Sequence, residues 1–103
     1  MARQALRDAV RAIDQAEIAE RAGDGAAIRR RIDEGERLIR AARRNLPSSG
    51  GTSIGRSMLE AAEYLDFVVG SYRQTGDVDG TLTQFATREL NRAPVPGETP
   101  LDC

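Results

Sequence analysis

Two sets of apolar positions step along the chain by four, three, four, three and four residues. One is Ile28, Ile32, Gly35, Ile39, Ala42 and Leu46; the other is Ile54, Met58, Ala61, Leu65, Val68 and Tyr72. That rhythm returns each set to one narrow stripe of an α-helix, the seam by which helices pack on helices. Leu6, Ala9, Val10, Ile13 and Ala16 share one face of an earlier segment, from about Ala2 to Ala22. Leu82, Phe85, Ala86 and Leu90 share one face of a later segment that runs to about Arg92. The pattern predicts an all-α fold of four helices. The two matching stripes are not a sequence repeat, because the positions between them do not correspond.

The residues between these segments supply stops and starts. Gly23 suits the position just past a helix end, where φ is positive, and Asp24 suits the cap of the next helix. A Gly23-Asp24-Gly25 junction this short predicts an antiparallel hairpin. The second helix is expected to run to Leu46 and stop at Pro47. Gly35 lies inside its stripe and costs about 1 kcal/mol of helix propensity against alanine, so a close crossing by another helix is expected there. Residues 47–53 read as the longest internal loop, with Ser53 or Ser57 capping a third helix to about Gln74; Ser57 and Glu60 have the capping-box spacing. Residues 76–80 read as a turn in which Asp77 or Asp79 caps the fourth helix. Pro94, Pro96 and Pro100 then favour an extended arm. The expected architecture is a four-helix antiparallel up-and-down bundle over residues 1–93 with an extended tail over residues 94–103.

A chain of 103 residues is one domain with one modest core. The aromatics are Tyr64, Phe67, Tyr72 and Phe85, so the core must come from Ala, Ile, Leu and Val. All fifteen basic residues are arginine, as a GC-rich genome would produce. With no histidine, the commonest general base and transition-metal ligand is missing. Cys103 stands alone, which excludes a thiolate zinc site and an intrachain disulfide. A net charge of −1 gives no global attraction to nucleic acid. No apolar run approaches membrane-spanning length, and Arg3, Arg7, Asp8 and Arg11 are unlike a signal peptide. The cytoplasm of a prokaryote or of a virus-infected cell is the expected location, with a virion component as an option.

Several short constellations bear on chemistry. Asp77-Val78-Asp79-Gly80-Thr81-Leu82 resembles the first motif of the haloacid dehalogenase superfamily, which implies a nucleophilic Asp77, an acid/base Asp79 and bound Mg²⁺. That family leads into the motif with a β-strand and uses a downstream lysine; here a helix precedes it and there is no lysine. The same residues resemble half of an EF-hand loop, with Asp77, Asp79 and Gly80 at the third, fifth and sixth positions. Thr75 and Ala86 then occupy the first and twelfth, where carboxylates are needed for tight Ca²⁺ binding. Glu17 and Glu20, with Glu60, Glu63 and Asp66, are similar to the helical Mg²⁺ site of all-α nucleoside triphosphate pyrophosphohydrolases, although the gap between the pairs is longer. Residues 52–59 are similar to the start of a recognition helix in a helix-turn-helix, behind a loop longer than that motif uses. In each case helix capping or a solvated acidic face accounts for the residues, and no catalytic residue, metal ligand or cofactor is expected.

Seven arginines lie between Arg29 and Arg44, giving residues 25–53 a local charge of +4. Asp33–Arg37 and Glu36–Arg40 have the favourable i,i+4 order and are expected to pair. Leu59, Phe67 and Val69 fall off the main stripe of the third helix. They are the apolar candidates for a partner contact, and Arg30, Arg37, Arg40 and Arg44 are the polar ones. The function expected is a non-enzymatic protein–protein interaction or assembly subunit, a small helical adaptor, inhibitor or virion connector that docks through its helix faces and C-terminal arm on itself or on another protein. A DNA-binding regulator and an Mg²⁺-dependent nucleotide hydrolase are the alternatives.

Overall fold

The computed structural model describes residues 2–46 and 52–101. Four helices account for most of them, and no strand occurs among the described residues: α1 (Ala2–Arg21), α2 (Gly25–Arg44), α3 (Ser53–Thr75) and α4 (Gly80–Arg92). Gly23 takes φ 73°, the conformation its lack of a Cβ permits. Asp24 then caps α2 by accepting from the Ala27 N–H at 3.0 Å. Ala22 to Asp24 are the whole connection, so α2 returns antiparallel along α1. Gln4 and Ala5 accordingly lie near Ala41 and Asn45 at one end of the pair, and Ile13 lies over Gly35 near its middle.

That crossing is as close as the glycine suggested. A Cβ on Gly35 would meet Ile13 Cγ1 at 3.3 Å and lie 3.8 Å from the Ala9 carbonyl oxygen. Ile28, Ile32, Ile39 and Ala42 of the α2 stripe are buried against Leu6, Ala9, Val10, Ile13 and Ala16. Ala61, Leu65 and Val68 of the α3 stripe join the same core, whereas Met58 and Tyr72 are only partly buried. Small alanines along α1 and α3 let the helices approach closely, and Leu90, Ala86 and Val78 close the core from the side of α4.

Several ends differ from expectation. Helix α2 finishes at Arg44 with Asn45 as its C-cap, ahead of the expected Leu46; Pro47, the proposed stop, lies outside the described residues. Thr52 caps α3, its side chain accepting from the Gly55 N–H at 3.0 Å. Ser53 and Ser57 do not cap: both sit within the helix, and Ser57 is buried. Of the two aspartates offered for α4, Asp79 is the cap, accepting from the N–H groups of Thr81 and Leu82.

The arm does not stand apart from the helices. Residues 94–101 fold back across the start of α1 and the end of α4, and Leu101 is buried in the core cluster. Arg3 of α1 donates to both carboxylate oxygens of Glu98 at 2.9 Å, and Arg7 lies 3.3 Å from the same carboxylate. Arg7 also donates to the Thr99 carbonyl. Asn91 of α4 accepts from the Leu101 N–H at 2.9 Å and donates to its carbonyl at 2.8 Å, a two-point clasp on the backbone. No helix among the described residues is long and apolar enough to cross a membrane.

Candidate interaction surface

The 3.6-residue period that buries one side of α2 sets its arginines on the other. Arg30, Arg37 and Arg44 are spaced by seven residues, so they lie in a nearly straight row along the outside, about 10 Å apart. All three are exposed, and none forms an ion pair among the described residues. Arg40 lies beside this row and pairs with Glu36 at 3.4 Å, as the i,i+4 spacing predicts. The expected Asp33–Arg37 pair does not form. Arg73 of α3 reaches across instead, donating to Asp33 at 2.6 Å and Glu36 at 3.1 Å. Arg43 likewise crosses to Asp66 of α3. Charge on the α3 side of α2 is thus spent fastening two helices, and charge on its outer side is left open.

Phe67 projects from α3 with 66% of its surface exposed, the largest exposure of any bulky apolar side chain described. It shares a shallow depression with Arg43, Glu63 and Asp66. Leu59 is half-buried on the same helix. Val69 does not belong with them. It is 5% exposed and packs in the core, because two helical steps, about 200°, carry it from the side of Phe67 to the inner side of the helix beside Val68. One turn before Phe67, Tyr64 is drawn toward α4, where its ring meets that of Phe85 with centroids 5.7 Å apart.

The carboxylates are placed for structural work. The Glu20 carboxylate accepts from the Val78 N–H at 3.0 Å. Glu17 lies so close to Gly80 that a Cβ there would approach its Oε2 to 2.8 Å. Both therefore brace the turn that leads into α4. Burial pushes the Glu17 carboxyl above the usual carboxylate range; Asp14 adds to the shift and Arg21 opposes it. Glu60 faces Glu89 of α4 in a cleft of about 290 Å³ lined also by Ser53, Arg56, Ser57 and Arg92. Burial raises Glu89, its hydrogen bond with Glu60 raises it further, and Arg92 at 3.1 Å opposes both. Glu63 and Asp66 lie on the exposed side of α3. Among the described residues no three acidic or thiol side chains are grouped to hold a metal ion.

The turn residues likewise have structural tasks. Asp77 is exposed, and its N–H donates to Thr75 Oγ1 at 3.1 Å. Ala86 is fully buried. The helix preceding Asp77 stands where the dehalogenase motif has a strand.

Two well-buried charges among the described residues are ones the spacing did not single out. Arg7 is buried, and Arg3 nearly so, in the groove that receives the arm. Arg3 holds the Glu98 carboxyl below the usual range, chiefly by its hydrogen bond. A signal was present: Arg3 and Arg7 lie together beside the apolar face of α1, and Arg3 is in the first turn, where the helix dipole disfavours cations. A basic residue in such a place wants a carboxylate from elsewhere. No protein-family model matches this chain, and neither a curated protein nor a solved structure is significantly similar to it.

Proposed function

We propose that this protein is a non-enzymatic interaction subunit, an antiparallel up-and-down bundle that docks on another protein through the outer faces of α2 and α3. The observation that carries the reading is Phe67, a large apolar side chain held in solvent on a rigid helix. Water contact over that ring is unfavourable, and burial of such a group at a contact is a common source of affinity. The open row of Arg30, Arg37 and Arg44 suits a partner that rings an apolar cup with carboxylates, for which arginine supplies orientation and a faster on-rate. Leu59 and Arg40 extend the same surface.

The test is affinity capture on immobilised protein from cells of its source, compared with Phe67→Asp and with Arg37→Glu. The reading expects one protein retained by the parent and lost by both variants, with helical circular dichroism unchanged. The same retained set on all three would overturn it.

The arginine row also supports a second reading, a DNA-binding regulator, since three open cations in a line could meet successive phosphates. Duplex binding that weakens steeply with salt and falls in Arg30→Ala and Arg44→Ala supports it. Absence of binding at low salt removes it.

A further inference from the structure

We propose that the arm of residues 94–101 is exchanged between two copies of this chain, Glu98 and Leu101 of one copy seating in the Arg3–Arg7 groove of the other. This deepens the interaction reading by naming a second copy as a partner, and it uses a surface away from the α2–α3 face.

The groove is built by elements other than the one it binds. Arg3 and Arg7 come from α1 and Asn91 from α4, and the arm meets them through one carboxylate, two carbonyls and one backbone N–H, while the Leu101 side chain joins the core. None of the arm's contacts to Arg3 and Arg7 depends on which copy the arm belongs to. The sequence that fits this groove is already seated in it, and a second copy carries the same sequence.

The connection is suited to opening. Among the described residues, the backbone between Arg92 and Glu98 is held by a single turn, in which the Glu98 N–H donates to the Val95 carbonyl at 3.1 Å. Pro96 and Gly97 occupy its middle, with Gly97 at φ 84°. Pro94 and Pro96 fix their own φ and carry no N–H, so the segment favours an extended course once the turn is released.

The closed arm also leaves one requirement unmet. Arg3 donates through Nε to Glu98 and through Nη2 to the Leu90 carbonyl at 2.6 Å. Its Nη1 is buried and has no acceptor among the described residues. A buried guanidinium nitrogen without a partner is costly.

Attachment in one chain gives the arm a local concentration in the millimolar range, so dilute protein is closed and exchange grows with concentration. Replacing Gly97 by a β-branched residue penalises the left-handed turn, and Gly97→Val is expected to lower the concentration for dimerisation about tenfold.

The decisive experiment mixes two charge variants and reads mass by light scattering. In Glu98→Arg the arm repels its own groove; in Arg3→Glu the groove has lost its main cation. Each alone is expected to be monomeric. The equimolar mixture is expected to form a heterodimer, because crossed arms restore opposite charges. A mixture that stays monomeric, with both variants folded by circular dichroism, overturns the proposal. If either variant fails to fold, Gly97→Val in the otherwise native chain decides: a dimer at lower concentration than the parent supports exchange, and an unchanged monomer overturns it. A dimer that survives Leu101→Ala together with Glu98→Gln also overturns exchange, and it assigns association to the helix faces instead. None of these results depends on the capture experiment with Phe67→Asp, so the two readings fail separately.

Discussion

Glycine to alanine at two helix-interior positions should give opposite signs. Gly70 lies on the outside of α3, and a Cβ there meets nothing within 4 Å. Gly70→Ala should therefore yield the ordinary propensity gain of about 0.5–1 kcal/mol. Gly35 offers the same gain in principle, but its added Cβ falls 3.3 Å from Ile13 Cγ1 and 3.7 Å from Cδ1. Ile13 is fully buried, and a β-branched side chain in a helix keeps essentially one χ1 rotamer. It has nowhere to turn. Overpacking of this kind costs about 1–3 kcal/mol, so Gly35→Ala should be destabilising by up to about 2 kcal/mol. For a domain of this size 1 kcal/mol moves the melting temperature by about 4–8 °C, well within reach of thermal circular dichroism or urea titration. Ile13→Ala should itself cost about 2–5 kcal/mol, and in that background Gly35→Ala should turn stabilising by up to about 1 kcal/mol. The coupling in this double-mutant cycle isolates the contact. An equal gain from alanine at both glycines would show that the α1–α2 crossing is looser than described.

Two further outcomes follow from the turn and the carboxyl pair. Asp79→Ala removes a cap that accepts from two N–H groups and should cost about 1 kcal/mol by urea titration, whereas exposed Asp77→Ala should stay within about 0.5 kcal/mol. Millimolar Ca²⁺ should change neither value; a Ca²⁺-dependent gain lost in both variants would refute a purely capping role. Glu89 has a folded pKa above its ordinary 4.5, so the folded state holds this proton more tightly than the unfolded state. That stabilisation is fully present below pH 4.5 and is lost as pH rises through the folded value. Glu89→Gln stays neutral and should therefore gain on the parent between pH 4 and pH 7 in paired urea titrations; a difference independent of pH would refute the assignment. Glu17 pulls the parent's stability in the same direction and Glu98 in the opposite one, so the comparison with the variant is the informative measurement.

The helices were legible because burial on one side imposes a period, and Ile28, Ile32, Ile39 and Ala42 display it without interruption. The Gly35 crossing was legible because an interior glycine needs a reason. Helix starts were less so: Thr52, Ser53 and Ser57 all carry a hydroxyl that can cap, and only the backbone path selects among them. Pairing by charge was legible within a helix for Glu36 and Arg40. It failed for Asp33, because Arg73 is 40 residues away and sequence spacing carries no information about which helix lies alongside. Val69 was misplaced for a related reason. Its side of α3, between Asp66 and Arg73, is exposed or buried according to where α2 packs, and apolar character alone does not say. The arm was read as extended from its prolines, but its landing place depends on Arg3, Arg7 and Asn91 meeting in space.

The clasp between Arg3 and Glu98 joins residues 95 positions apart. Joining ends so distant removes more chain freedom than any local contact in the fold, and that freedom is lost before the clasp contributes anything. The α1–α2 hairpin needs only a three-residue connection and can form as soon as its residues exist, whereas Arg3 and Arg7 must wait for Glu98 and Thr99. Folding is therefore expected to run from the α1–α2 hairpin toward the clasp. In the native protein the same order holds in reverse, and the amides of Glu98 and Leu101 should exchange with solvent through openings far smaller than the global one, while Ile32 and Leu65 exchange only when the whole core comes apart.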